Sequence, residues 1–339
     1  MKKINQLHLL LAVIVPLLYS CNAVHNLQLN TIRPAQVEYH SPSPNIVVVN
    51  NAEEPDSRQY SRYIDENNKR YRLSFDTDSV AYMMAMSLAT HLYDSHIFNR
   101  VDVVFSDSSN ITGSAGIDGE RLSNWRLESP QDVFVVINNI KPVATMQVVP
   151  LDGMFGAELS VVSLAYLQCL VPGKEEINLV VNDTIAWHAY GETPDIARMY
   201  LPAFEECIDE AIISLSQVAA DRFTPHRRIV DRYIFVTGHP AMKDAYRYWE
   251  EEKFEEASYI WEYVYKKGKD QGRRAKAAAN LAIYNEIEEN FAQALEYIEE
   301  AMKIFVEKNY VAEAEYASSY YQDLKKRIEE NNILNNMKW

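Results

Sequence analysis

Two segments in the last third of the chain repeat each other at a spacing of 37 residues. The corresponding pairs of positions are Phe254 and Phe291, Ala257 and Ala294, and Trp261 and Ile298. A fixed period of this length is typical of repeat proteins, in which one unit cannot bury its apolar face alone and packs it against the next unit. The pattern therefore predicts a stack of paired helices in this part of the chain.

The repeated segments resemble tetratricopeptide repeats. Their period is close to the 34 residues of that family, and the surplus falls in the turn "KKGKDQGRRA". Six residues occupy the small and large consensus positions of the second repeat: Leu281, Ala282, Phe291, Ala294, Ile298 and Ala301. The first repeat departs from the consensus at Asp244 and Val264. The resemblance implies an all-α helical-repeat tail over residues 239–331, with a capping helix at about 311–330 and a short end at 332–339. A generic helical bundle is the alternative.

The register of the repeats places seven residues along one groove. The first helix pair supplies Met242, Tyr246, Trp249 and Glu250, and the second supplies Ile283, Glu286 and Ile287. Aromatic rings give apolar contact area and carboxylates give orientation, a combination that suits a peptide or protein segment. We therefore expect these seven residues to form a partner-binding groove. The alternative is that Tyr246 and Trp249 are buried against the preceding domain.

Residues 45–238 have the pattern of an α/β domain. Short β-branched runs predict strands at 45–50 and 99–106, and apolar residues at helical spacing predict a helix between them. In "ESPQDVFVVINNIKP" the Val/Phe/Ile run suggests a strand, but Ser129 and Asp132 make a capping box and Pro130 stands at the first helical position. We therefore predict a helix here, followed by a strand at 143–149. Two longer segments, 156–170 and 177–190, predict an antiparallel hairpin. Thr193 and Pro194 then open a helix that Pro202 must kink or split.

This order of elements resembles the α/β domain of envelope lipoproteins related to the curli-secretion lipoprotein. The likeness covers about 45–235 and includes the step "HIFNRVDVV" from helix into strand. It implies a mixed sheet with flanking helices. The whole chain resembles a family of Bacteroidetes lipoproteins with the same two-part arrangement. That resemblance implies a fold and a cellular location, but it implies no enzymatic reaction.

The first residues predict export. Lys2 and Lys3 precede an apolar run from Leu9 to Leu18, which is shorter than the roughly 20 residues that a membrane-spanning helix needs. Leu18-Tyr19-Ser20-Cys21 resembles the lipobox of bacterial lipoproteins, which implies that residues 1–20 are a signal peptide and that Cys21 is acylated. An ordinary cleaved signal peptide is the alternative. We expect a linker over residues 21–44 and an outer-membrane anchor facing the periplasm, with exposure at the cell surface left open.

Charge and cysteine content exclude several classes of function. The formal net charge of −15 argues against nucleic-acid binding, because an acidic body repels phosphate backbones. Cys169 and Cys207 are the only cysteines after Cys21, and no C-x-x-C motif occurs. We expect two separate buried thiols, and a disulfide between Cys169 and Cys207 is the alternative. His91 and His96 are five residues apart, a poor spacing for metal ligands on a helix.

The loop "NITGSAGIDG" lacks the lysine of a phosphate-binding loop. The sequence therefore predicts no enzyme, no cofactor and no metal site. It favours a membrane-anchored scaffold that binds an envelope protein or peptide segment through its helical repeats. The alternative is a homo-oligomeric assembly built by the α/β domain.

Overall fold

The computed structural model describes residues 24–52, 61–73, 79–105, 127 and 130–336, and these residues form two units. One unit comprises residues 35–226. The other joins residues 24–34, at the start of the described chain, to residues 227–336. Each unit has its own apolar core.

A seven-stranded mixed sheet organises the first unit. Its strands are β2 (Asn45–Asn50), β3 (Arg62–Ile64), β4 (Arg70–Arg72), β5 (Arg100–Phe105), β6 (Val133–Leu151), β7 (Met154–Leu170) and β8 (Ile177–Gly191). β2 lies between β5 and β6 and runs parallel to both. β6, β7 and β8 are successive antiparallel neighbours, and β3 pairs with a later part of β6. The predicted hairpin is thus confirmed as β7 and β8.

Three helices pack against this sheet: α1 (Val80–Asp94), α2 (Pro194–Met199) and α3 (Phe204–Ala220). Their apolar faces share one core with β2, β6 and β7. Thr193 caps α2 by accepting a hydrogen bond from the Ile196 backbone N–H, and Pro202 lies in the break between α2 and α3.

The first and last residues of this unit lie side by side. The N–H groups of Gln36 and Val37 both donate to the Arg222 carbonyl oxygen, over 2.8 and 3.3 Å, so the chain enters and leaves the unit at one place.

The two described cysteines are separate, buried thiols in this unit. Burial raises the pKa of Cys169 to about 12. Burial, with help from Glu210 and Glu206, raises the pKa of Cys207 to about 11. Both groups are therefore held in the unreactive thiol form at neutral pH.

The helix predicted from Pro130 to Ile140 is wrong, since the segment forms the first part of β6. Its run of valine and isoleucine lies between β2 and β7, and Val135, Val136 and Ile137 are all inaccessible to solvent. A strand that is buried on both faces has a continuous apolar sequence without alternation. The β-branched run decided the structure here, and the capping-box pattern was coincidental.

The second unit contains two strands and five helices. They are β1 (Val24–Arg33), β9 (His226–Phe235), α4 (Pro240–Glu250), α5 (Phe254–Lys267), α6 (Gln271–Ile287), α7 (Phe291–Glu307) and α8 (Val311–Asn336). Each helix packs against the next along the chain. Four alanines at the predicted small positions, Ala257, Ala282, Ala294 and Ala301, are completely buried. An α/β unit followed by an all-helical tail is therefore confirmed.

The boundaries of this tail differ from those that the sequence predicts. Residues 24–33, within the interval expected to be a linker, form β1 and pair with β9. β9 itself belongs to the helical unit, which starts at Arg227 rather than near residue 239. The last helix continues to Asn336. Among the described residues, no helix is both long enough and apolar enough to cross a membrane.

Candidate functional site

The structure distributes the seven predicted groove residues between core and surface. Met242, Trp249, Ile283 and Glu286 are buried; Tyr246 and Ile287 are half-buried, and Glu250 is exposed. All seven lie on α4 or α6 of the same unit. The prediction that they bind a partner is not decided by this placement, but the four buried side chains are occupied by contacts within the protein.

Trp249 is part of the core of the helical unit. Its ring centroid lies 4.6 Å from that of Phe254 and 5.2 Å from that of Trp261. Tyr246, one turn earlier on α4, stacks on His25 of β1 at 4.1 Å. Partial burial and a hydrogen bond with Glu250 raise the pKa of Tyr246 to about 12. Tyr246 and Glu250 therefore form the accessible end of the predicted groove.

The other end of the groove holds a strand of the protein itself. The Asn280 side chain of α6 binds both main-chain groups of Phe235 in β9: its Oδ1 accepts from the Phe235 N–H and its Nδ2 donates to the Phe235 carbonyl, each over 2.8 Å. The Tyr316 hydroxyl of α8 accepts from the Tyr233 N–H over 3.0 Å. Two helices thus bind an extended segment by its backbone.

A buried ion pair anchors the same strand through a side chain. Glu286 is 0 % exposed, and its carboxylate accepts from Arg232 Nε over 2.8 Å and from Arg232 Nη2 over 3.0 Å. Arg327 of α8 also donates to this carboxylate. We call Asn280, Glu286, Tyr316 and Arg327 the strand seat.

The charges in the strand seat reinforce one another. Burial by itself would raise the pKa of Glu286, but the hydrogen bonds and positive charge of Arg232, with Arg327 nearby, lower it. Glu286 raises the pKa of Arg232. The Arg232 guanidinium lies 4.2 Å from the centroid of the Tyr320 ring, and burial raises the pKa of that phenol. The site therefore keeps a fixed pattern of charge near neutral pH.

This arrangement suits binding rather than proton transfer. Glu286 is ionised and saturated by two guanidinium groups, so it has no proton to donate. What the strand seat can do chemically is hold an extended polypeptide by its backbone and by one arginine side chain. Within the part of the chain that the structure describes, no cluster of histidine, cysteine, aspartate or glutamate could hold a metal ion.

Of the strand seat, sequence reasoning found Glu286 but missed Asn280, Tyr316 and Arg327. It also missed Arg232 on the bound strand. A usable signal was present in α6, where Asn280 is a polar residue among the apolar and small residues of "AAANLAI". Arg232 sits on the inward face of an alternating strand, a position at which an arginine requires a buried partner. Cys21 and the "NITGSAGIDG" loop lie outside the described residues.

The fold and the site define a two-part protein: a mixed-sheet α/β unit, and a helical tail that binds a strand. The family model for the domain of unknown function DUF8603 matches residues 44–235, more than half of the chain. The protein therefore belongs to the DUF8603 family. A second model, for the domain of unknown function DUF6340, matches residues 243–326 within the helical tail. The search of curated proteins finds no match.

Proposed function

We propose that this protein is a membrane-anchored envelope lipoprotein whose tetratricopeptide-like tail is a protein-binding scaffold. The observation that carries the proposal is the strand seat, in which Asn280 and Tyr316 bind the backbone of an extended segment. Main-chain hydrogen bonds supply affinity for any extended chain, and the buried acid selects a basic residue. Because β9 fills the strand seat itself, the partner would bind the accessible surface of the same helices beside it.

The surface left for that partner lies next to β1 and β9. Tyr246 and Glu250 are accessible there, and a half-buried aromatic ring beside a carboxylate is typical of an interface anchor. Trp249 and Ile283 are unsuitable for testing the groove, because both are in the core and replacing them would unfold the unit.

The test is an affinity capture from detergent-solubilised envelope with a Tyr246→Ala/Glu250→Lys variant. A Tyr259→Ala/Glu255→Lys variant is the matched control: it makes the same changes at the same spacing on the exposed side of α5. We expect one defined partner to be captured by the wild type and the control and lost by the groove variant, with all three unfolding at the same temperature. Equal capture by both variants would refute binding at the groove.

The proposed anchor is Cys21. Only two residues separate it from Val24, where β1 begins, and three residues span at most roughly 10 Å. An acyl chain on Cys21 would therefore hold the helical unit directly at the bilayer. Replacing Cys21 by serine should abolish incorporation of a labelled fatty acid and release the protein from the membrane fraction; continued labelling would refute the anchor.

One observation favours the second candidate, a homo-oligomer built by the α/β unit. Among the described residues, β8 pairs only with β7, which leaves one edge of a 15-residue strand open. Natural proteins protect such edges with lysine or proline, and β8 contains neither; its one charged residue, Asp183, is hydrogen-bonded by Ser214. A second copy could pair with β8 without repulsion.

Val180 of β8 is 55 % exposed, and Val180→Lys would place opposing positive charges across such an interface. The matched control is Val306→Lys on α7, where valine is also exposed. If β8 forms the interface, sedimentation should show a concentration-dependent oligomer for the wild type and the control and a monomer for Val180→Lys. A monomeric wild type would eliminate this candidate.

A further inference from the structure

The hairpin of β3 and β4 has three arginines on one face. Arg62 stands directly opposite Arg72, and Ile64 opposite Arg70. Since side chains alternate between the two faces of a strand, Arg62, Arg70 and Arg72 point to the same side. All three are exposed.

Among the residues that the structure describes, no acid neutralises these three charges. Like charges directly opposite each other in a ladder are destabilising. No ion pair joins Arg62, Arg70 or Arg72 to an acid in the described chain, whereas Arg100 contacts Asp102 and Asp132. An acidic protein of net charge −15 has many carboxylates that could have neutralised them. Exposed and without an ion pair to any described acid, the three guanidinium groups are available to an external ligand.

The opposite face of the hairpin fixes its position. Tyr63 and Tyr71 stack at 5.6 Å, and the Arg198 guanidinium of α2 lies over the Tyr63 ring and donates to its hydroxyl over 3.0 Å. In the turn, the Asp65 carboxylate accepts hydrogen bonds from the Lys69 N–H and the Tyr71 hydroxyl. Both oxygens of the Asp65 carboxylate therefore bind groups of the turn itself.

The remaining acid of the hairpin is Glu66, which accepts from the neighbouring Asn67 side chain. Residues 61–72 thus carry four cations, Arg62, Lys69, Arg70 and Arg72, against two acids. The excess positive charge lies on the arginine face, because both acids are in the turn.

We propose that the arginine face of the β3–β4 hairpin docks on an anionic phospholipid surface. Neighbouring strands are about 4.8 Å apart, so the three guanidinium groups form a flat array that meets several headgroups at once. Arginine binds phosphate with a bidentate fork. The acidic remainder of the protein is screened beyond about 10 Å at 0.1 M salt, so a local cluster can act against the net charge. A nucleic acid fits less well, because three contacts are too few to oppose that charge along a long polyanion.

The test uses the chain from Asn22 onward, which keeps every residue that the structure describes and lacks Cys21. Failure of this docking would therefore leave the acyl anchor and the scaffold untouched. Binding is measured by co-sedimentation with vesicles of phosphatidylcholine, alone or with one third phosphatidylglycerol. We expect binding to the anionic vesicles only, and its loss at about 1 M salt, where the screening length falls to about 3 Å.

The decisive variant is Arg62→Gln/Arg70→Gln/Arg72→Gln. Each basic residue near an anionic surface contributes about fivefold, so this variant should partition onto the vesicles roughly a hundredfold less. The control is Arg247→Gln/Lys253→Gln/Lys266→Gln, which makes the same change in net charge but removes cations already paired with Asp244, Glu251 and Glu262. It should bind like the wild type.

Three results would overturn the proposal. The first is no binding of the wild type to anionic vesicles. The second is an equal loss in the control variant, which would mean that only the net charge matters. The third is release of the wild type by soluble glycerol phosphate at the phosphate concentration of the vesicles, which would assign the arginines to a free phosphoester. Circular dichroism must show equal melting temperatures for the variants and the wild type.

Discussion

At the scale of single residues, the buried pair of Arg232 and Glu286 carries a large desolvation cost in the helical unit. Removing two charges from water carries a desolvation penalty of several kcal/mol for each ion, which only close geometry can offset. The pair has that geometry: two hydrogen bonds of 2.8 and 3.0 Å, with Arg327 as a second donor. Losing one partner should therefore cost far more than losing a surface ion pair.

We predict that Glu286→Gln lowers the free energy of unfolding of the helical unit by about 3–5 kcal/mol, because two guanidinium groups would be left without a buried counter-charge. The control is Glu299→Gln on α7. Glu299 is 40 % exposed and pairs with Lys303 one turn later on the same helix, so its loss should cost about 1 kcal/mol or less. Urea denaturation measures both values, and similar losses would contradict the special role of Glu286.

The same carboxylate predicts a dependence of stability on pH. Its pKa is lowered from the ordinary 4.5 in the folded protein, so its stabilisation is complete above that value and is lost as the pH falls through the folded-state pKa. The difference in unfolding free energy between wild type and Glu286→Gln should therefore be constant near neutral pH and shrink below about pH 4.5. A constant difference down to pH 3 would show that Glu286 does not titrate with folding.

Residue-level prediction from the sequence succeeded for packing and not for accessibility. The alanines at the small repeat positions are buried as expected, because a repeat pattern directly encodes contacts between neighbouring helices. Ile283 and Glu286 were expected to face a partner, but they are buried in the folded unit. The strand that fills the seat at Glu286 begins 61 residues before α6 ends, and no local pattern reveals such a distant contact.

At the scale of elements, β9 is held by the helices as much as by its partner strand. On one side it pairs with β1, and two side-chain bonds, Gln28 to Asp231 and Thr31 to the Arg228 carbonyl, join the two strands. At its end the strand is bound by Asn280 and Tyr316. The backbone of β9 is thus satisfied from two directions, as buried main-chain groups require.

We predict that Asn280→Ala loosens β9 without unfolding the α/β unit. The Phe235 N–H and C=O would both be left buried without partners, at about 1–3 kcal/mol each. Hydrogen exchange should be faster in β9 and unchanged in β7. Asn285→Ala is the control on the same helix, since Asn285 binds only the Leu281 carbonyl of its own helix; equal acceleration in both variants would argue against the strand seat.

Element types were predictable where one pattern dominated. The hairpin of β7 and β8 and the break at Pro202 follow from long β-rich runs and from proline chemistry. β6 was mistaken for a helix, because its first half is buried on both faces and shows no alternation. β1 was overlooked although "HNLQLNT" alternates polar and apolar residues, a period of two that is typical of a half-buried strand.

At the scale of the whole molecule, the helical unit is discontinuous in sequence. Its first strand precedes the α/β unit and its remaining elements follow it. Leu27 of β1 packs on the core of the helical unit, and Arg33 forms an ion pair with Glu330 of α8 at 3.5 Å. The stability of the tail therefore depends on residues at the other end of the chain.

We predict that deleting residues 24–33 destabilises the helical unit, because β9 loses its paired strand and Leu27 no longer covers apolar surface. Hydrogen exchange should be faster in α6 and α8 and unchanged in β7. As a control, replacing the exposed Asn26 and Asn30 with serine keeps the inward face of β1 and its bonds to β9, and should leave exchange as in the wild type. Normal protection of α8 after the deletion would contradict this dependence.

The single place at which the chain enters and leaves the α/β unit has a consequence for the order of folding. Arg33 and His226 are 193 positions apart, and closing a flexible loop of that length costs roughly 5 kcal/mol of chain entropy. Once the α/β unit has folded, the bonds from Gln36 and Val37 to Arg222 hold the two ends of that loop together, so β1 and β9 meet as if they were local neighbours. The contact order of the helical unit is high when it is counted along the sequence, but the loop that has to close is short once the α/β unit has folded. We therefore expect the α/β unit to fold before β1 pairs with β9.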